Sequence, residues 1–248
     1  MPWLRRLLRL PVLVLHLLLG VILSALLFRG APARCPPRDR RIVRWWLGAI
    51  PPILGIRVSV RGRPTPGPVL LTAPHLSWLD IPVLGGTGEG VFLSKEEVRH
   101  WPIIGWLAAR SGTLFIGRGR RESMEQAMTS IADVLDQGGQ VLVFPEGTTT
   151  SGTLRRFKGR LLEAAIHAGA PIQPVMLRYP HPDGTHPLVP FVGDTGLVEH
   201  IWALSAATKV EAEVAYLAPI PATNRTSNEL ARAAESAVRQ ALGQEQAA

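Results

Sequence analysis

Between Leu10 and Phe28 the chain runs for nineteen residues with His16 as its only readily ionised side chain. Wound as a helix, that run is about 28 Å long, close to the hydrocarbon thickness of a bilayer, so it must be buried in lipid or in protein. Its surroundings are basic. Residues 1–63 hold twelve arginines against one acid, Asp39, a net of +11, whereas residues 64–248 hold fifteen Lys/Arg against eighteen acids, a net of −3. The overall charge of +8 is therefore a local property of the N-terminal segment. Arginines interleaved with a long apolar run fit an anionic membrane surface, since a nucleic-acid patch has no use for so many aliphatic residues.

A cleaved signal peptide competes with an anchor, because "APA" at 31–33 resembles a cleavage site. Against cleavage, arginines continue beyond it and a second apolar segment, "WWLGAIPPILGI", follows from Trp45. Basic flanks on both sides leave a single span, a hairpin and an in-plane helix all open. Trp45 and Trp46 suit the headgroup level, or else the core of the protein. Cys35 is the only cysteine, so no intrachain disulfide forms. The expected organisation is a membrane-anchoring segment over 1–56 and one catalytic-sized domain over 57–248, with "RGRPTPGP" (Arg61–Pro68) as the joint between them.

Beyond that joint, short apolar runs predict strands at Val69–Ala73, Val91–Ser94, Thr113–Ile116, Val141–Phe144, Ile172–Arg178 and Val210–Ala218. Helical spacing fills several of the gaps. Met124, Ala127, Met128, Ile131, Val134 and Leu135 recur at three- and four-residue intervals, with Gly138 as the stop; Phe157–Ala168 repeats the pattern, and "TSNELARAAESAVRQALG" reads as a closing surface helix. This order predicts an α/β fold with a mostly parallel or mixed central sheet flanked by helices.

Two groups of polar residues need an explanation. In "LTAPHLSWLDIPVL", His75 and Asp80 stand five positions apart, which on one regular helix leaves the side chains about 140° apart. Pro74 and Pro82 restrict the helix start to between Ser77 and Ile81, so His75 belongs to the preceding turn and can fold back onto Asp80. Ser77 and Asp80 fit a capping box, which does not account for the histidine. A carboxylate on one ring nitrogen leaves the other as an oriented base. In "QVLVFPEGTTTSG", a buried strand runs into a turn offering backbone N–H groups and hydroxyls to an oxyanion. Glu146 would repel an anion there, which leaves it to pair with an arginine or accept from a substrate hydroxyl. Arg118, at the end of "GTLFIGR", supplies a forked cation at a strand end, while Arg120 and Arg121 fit solvated surface charge. His181 and His186 have loop surroundings and no partner at ligand spacing, so no metal site is expected. His16, His100, His167 and His200 are read as structural or exposed.

Assembled, these blocks resemble the glycerolipid acyltransferase superfamily typified by 1-acyl-sn-glycerol-3-phosphate acyltransferases, over roughly Arg57 to Pro221. His75 and Asp80 match its His, four residues, Asp motif, and "GTLFIGR" (112–118), "FPEGT" (144–148) and "PIQPVML" (171–177) match the next three blocks in order. Two positions depart from the pattern: Pro74 stands where the family has Asn, and Thr149 where it often has Arg. "SWLDIP" and "EGTTTSG" are similar to a branch that includes ornithine-lipid acyltransferases.

The resemblance implies His75 as base and Asp80 as its partner, with Arg118, Glu146, Gly147 and Thr148 binding the acceptor. It implies acyl-CoA or acyl-carrier protein as donor, no other cofactor, and membrane lipids as partners. The implied location is a bacterial-type inner membrane with the active site on the cytoplasmic side. The expected reaction is acylation of 1-acyl-sn-glycerol-3-phosphate to phosphatidic acid, with lyso-ornithine lipid or another lysolipid as the alternative acceptor. A catalytically inactive lipid-binding protein is the non-enzymatic alternative. No Gly-x-Ser-x-Gly elbow is present to support a lipase or thioesterase.

Overall fold

A computed structural model describes residues 1–27, 37–117 and 121–243 of the chain. Two helices come first, α1 (Pro2–Leu27) and α2 (Pro37–Ile53). The alternating part follows as β1 (Ile56–Arg61), β2 (Val69–Thr72), α3 (Asp80–Thr87), β3 (Val91–Lys95), α4 (Glu96–Arg99), α5 (Ile104–Arg110) and β4 (Leu114–Ile116). It continues through α6 (Arg121–Asp136), β5 (Gln140–Val143), α7 (Glu163–His167) and β6 (Ile172–Arg178). A short ribbon of β7 (Pro180–His181) and β8 (Gly184–Thr185), then α8 (Leu197–Ser205), β9 (Val210–Tyr216) and α9 (Ser227–Ala241), complete it.

Seven strands make one sheet in the order β1-β9-β6-β2-β5-β3-β4. The five from β6 to β4 are parallel. β9 runs antiparallel to β6, with β1 parallel to β9, so the sheet is mixed. Every strand expected from an apolar run is present to within two residues at either end. β1 was not foreseen. It alternates Ile56, Val58 and Val60 with Arg57, Ser59 and Arg61, the pattern of a half-exposed edge strand, but its arginines merge with the basic N-terminal segment. "RGRPTPGP" links β1 to β2 and is pinned at the N-terminal edge of the sheet: Gln173 Oε1 accepts from Thr65 N–H, and Gln140 Nε2 donates to Thr65 O.

The helix expected over Phe157–Ala168 starts late, with a 3-10 turn at Arg160–Leu162 before α7. A side chain at Gly159 would meet the Ser227 carbonyl at 2.6 Å, so this stretch is shaped by α9 rather than by its own periodicity.

Period-2 alternation sends Leu70 and Leu71, both on β2, into opposite core layers. Leu71 packs with Leu13 of α1, Ile50 of α2, Val83 of α3 and Leu204 of α8. Leu70 packs with Ile131 of α6, Ala165 of α7 and Leu230 of α9.

α1 is long and apolar enough to cross a membrane, with a mean hydropathy of 2.6 over its most apolar 18 residues. One side of it nevertheless rests on protein. Leu13, His16, Gly20 and Ser24 are buried. His16 and Trp46 stack at 5.1 Å, each ring bonded to the other's carbonyl. Arg5, Arg6 and Arg9 donate to Ala206, Trp202, Ser205 and Ala207 carbonyls, which places cations on the electronegative end of α8. The opposite side of α1 exposes Leu4, Leu8, Leu15, Leu18, Ile22 and Leu26 at helical spacing. Trp46 thus packs on α1, whereas Trp45 is exposed.

α2 and α3 touch through glycines. A Cβ on Gly86 would stand 2.5 Å from the Gly48 Cα, so the helices approach at backbone distance. Gly86→Val should force them apart and lower stability by about 1–3 kcal/mol, read as a fall in the denaturant midpoint.

Candidate active site

His75 leaves the C-terminal end of β2, in the middle of the sheet, where open α/β sheets place their functional groups. α3 begins at Asp80, inside the window that Pro74 and Pro82 define. The seven residues between β2 and α3, 73–79, therefore form a turn, and that turn brings the two side chains together. His75 Nδ1 lies 2.8 Å from Asp80 Oδ2. The same oxygen accepts from the backbone N–H groups of Leu76 at 2.7 Å and Ser77 at 2.9 Å. Of the expected capping box, only the carboxylate half forms: Ser77 Oγ accepts from Leu79 N–H instead of Asp80 N–H. Two backbone donors on Oδ2 make it the acceptor toward Nδ1, so Nδ1 carries the proton and Nε2 is left as the free basic nitrogen. The His75 side chain is 21% exposed and that of Asp80 0%, so the base reaches the surface while its partner stays dry. Phe144 stacks flat on the imidazole at 4.0 Å.

The block "FPEGTTT" holds the main chain of this turn. Glu146 is 2% exposed, with Oε2 accepting from His75 N–H and Oε1 from Arg155 N–H. Burial pushes its carboxyl above the ordinary range, and the two backbone donors pull it partly back. Glu146 therefore bonds the backbone of two loops through its two carboxylate oxygens. Thr150 N–H donates to the His75 carbonyl at 2.8 Å, so both backbone groups of His75 are engaged by this one loop. Gly147 takes a positive φ of 75° to turn the chain between them, and Thr148 follows, half-buried. Thr149, at the position where the family often has Arg, donates to the Phe191 carbonyl.

Arg118, the expected anion ligand, lies outside the described residues, as do Arg120 and Cys35. Three neighbours of the site were not singled out from the sequence. Tyr179 donates its hydroxyl to Asp80 Oδ1 at 2.8 Å. Burial, reinforced by the adjacent Asp80 charge, pushes its phenol well above the usual range, so it stays a donor. Lys158 extends over Gly147, its Nζ 3.0 Å from where a Cβ there would stand. Trp78 Nε1 donates to Nδ1 of the buried His200 on α8. Tyr179 follows the buried run "IQPVMLR", and an aromatic hydroxyl at the end of such a strand is the only local signal it gives.

A base with one nitrogen oriented by a dry carboxylate and the other facing outward is built to take a proton from a hydroxyl. The chain belongs to the glycerolipid acyltransferase superfamily, as relatives of 33–42% identity show, and a model of the Acyltransferase family matches residues 57–178. Lyso-ornithine lipid O-acyltransferase of Pseudomonas aeruginosa is 42% identical over 246 residues, covering 98% of this chain and 95% of that protein. The enzyme of the same name from Rhodobacter capsulatus is 39% identical over 219 residues, 81% of this chain and 78% of its own. The 1-acyl-sn-glycerol-3-phosphate acyltransferase of Neisseria gonorrhoeae is 33% identical over 192 residues, 76% and 75% of the two chains. The crystal structure of the 1-acyl-sn-glycerophosphate acyltransferase of Thermotoga maritima superposes with a TM-score of 0.71, at 23% identity, over 99% of this chain and 96% of that one, and so shares its fold.

Glu146→Gln keeps the shape but turns one acceptor oxygen into a donor facing a backbone N–H. It should cost about 1–3 kcal/mol in denaturant unfolding. Turnover should drop about tenfold or more as the His75 turn loosens, measured as initial rate of acyl transfer.

Proposed function

We propose that the chain is a membrane-associated O-acyltransferase that acylates the free hydroxyl of a lysolipid, with lyso-ornithine lipid as its acceptor. The observation that carries the acceptor is the end-to-end likeness, at 42% identity, to a lyso-ornithine lipid O-acyltransferase. It favours this acceptor over 1-acyl-sn-glycerol-3-phosphate, whose acyltransferases match at 33% over three quarters of the chain.

In this reading the acceptor hydroxyl donates its proton to His75 Nε2 as its oxygen attacks the carbonyl carbon of an acyl thioester, supplied by acyl-CoA or acyl-carrier protein. Asp80 holds the imidazolium that forms. Collapse of the tetrahedral adduct breaks the C–S bond, and the departing thiolate takes the proton back from Nε2. No acyl-enzyme is required. The headgroup anion sits by Gly147 and Thr148, within reach of Lys158, and the family resemblance adds Arg118 as a further ligand. A carboxylate headgroup carries less charge than a phosphate monoester, which agrees with the threonines that follow "FPEG" in place of a further arginine. Glu146 serves from behind, by holding the loop.

The exposed apolar side of α1 lies in the bilayer surface, with the basic N-terminal segment against anionic headgroups. The active site then opens where both lysolipid and product reside.

The test is an acceptor panel with the full-length protein, offering lyso-ornithine lipid and 1-acyl-sn-glycerol-3-phosphate, each with both donor types. Lyso-ornithine lipid should be acylated with a kcat/KM at least about tenfold higher, a discrimination of about 1.4 kcal/mol. Preference for the glycerophosphate would reverse the acceptor assignment. His75→Ala should remove turnover with either acceptor while the far-UV spectrum is unchanged; full activity in that variant refutes the reading.

A further inference from the structure

Four donors converge on the Asp80 carboxylate, and only one of them comes from outside the turn that carries the dyad. His75 Nδ1, Leu76 N–H and Ser77 N–H all sit on Oδ2 and belong to consecutive residues. Oδ1 receives the Tyr179 hydroxyl at 2.8 Å, from the residue that directly follows β6, the strand beside β2. We propose that Tyr179 is a positioning residue for acyl transfer, whose hydroxyl fixes the rotation of the Asp80 carboxylate so that Oδ2 stays on His75 Nδ1. This rests on the reading of His75 as the base.

The terminal torsion of an aspartate is broad, and donors on one oxygen alone leave the carboxylate free to swing. A second donor on the other oxygen, set in another strand, closes that freedom. Tyr179 is fit to be the fixed point. It is 1% exposed and packs in the same core layer as Leu76 and Leu79. Its carbonyl accepts from His186 N–H, so its backbone is held as well. Without the hydroxyl, Oδ1 would lose its Tyr179 donor, and a buried acceptor left unmade drives the carboxylate to turn.

A charge effect accompanies the geometry. Among the described residues, titratable groups that interact with the dyad include Glu146, which faces it from the loop after β5, and Tyr179, which follows β6. Removing the Tyr179 hydroxyl leaves Glu146 and its two backbone donors in place, so any change comes through Asp80. A carboxylate that shares less of its charge with a donor favours the imidazolium, and the base form of His75 then appears at higher pH.

The full-length protein is assayed for acyl transfer across pH. Tyr179→Phe should lower kcat about tenfold with the acceptor KM within about twofold, and move the acidic limb of kcat/KM to higher pH. The chain has two tyrosines, so in a Tyr216→Phe background biosynthetic 3-fluorotyrosine replaces Tyr179 alone. Its more acidic phenol donates more strongly and should move the limb to lower pH than in unlabelled Tyr216→Phe. Opposite shifts from two changes that both preserve ring packing are not produced by a purely structural tyrosine. The inference is overturned if Tyr179→Phe retains the parental kcat and pH profile, or if the fluorinated protein shows no shift or an upward one. Should Tyr179→Phe fail to fold, the fluorotyrosine arm decides alone. An active His75→Ala variant removes the catalytic reading, whereas an inactive one beside an unaltered Tyr179→Phe removes only the role of Tyr179.

Discussion

Everything that makes the site usable depends on satisfying the polar groups of one turn at the end of β2. His75 donates its N–H to Glu146 and its ring N–H to Asp80, and accepts at its carbonyl from Thr150. Leu76 and Ser77 give their N–H groups to Asp80, and Leu76 accepts from Phe191 N–H. Unpaired backbone groups in this largely buried region would each be costly, so the turn keeps its shape because two carboxylates and two loops meet its hydrogen-bonding needs. Asp80 is thereby both the scaffold of the turn and the partner of the base. That double use explains why a side chain at 0% exposure can carry a charge-bearing role.

The same turn is connected to the N-terminal helix α1. Trp78, near its end, bonds His200 of α8, and the C-terminal carbonyls of α8 are capped by Arg5, Arg6 and Arg9 of α1. The arginines that read in the sequence as a basic flank thus have a second occupation, as C-caps of a helix far along the chain. Along α1, one side packs on Trp46 and the core while the other exposes aliphatic residues.

A good part of this was legible beforehand. The strands appear where the apolar runs stand, because a buried parallel strand needs continuous Val, Ile and Leu and little else does. His75 and Asp80 were readable as a pair because two prolines bracket the possible helix start. β1 was hidden because an edge strand with arginines resembles its basic neighbours, and the late start of α7 because α9 packs against Gly159.

Tyr179 and Lys158 had no comparable signal: ninety-nine residues separate Tyr179 from Asp80, and only the register of β6 against β2 brings them together. The role of Glu146 was equally out of reach, since its partners are backbone N–H groups that leave no mark on residue type. By itself the sequence determined the layer pattern, the apolar basic N-terminus and the histidine–aspartate pair, all set by local periodicity and short-range sterics. The tertiary structure alone decided which groups hold that pair in place, because those contacts join distant segments through sheet order and backbone hydrogen bonds.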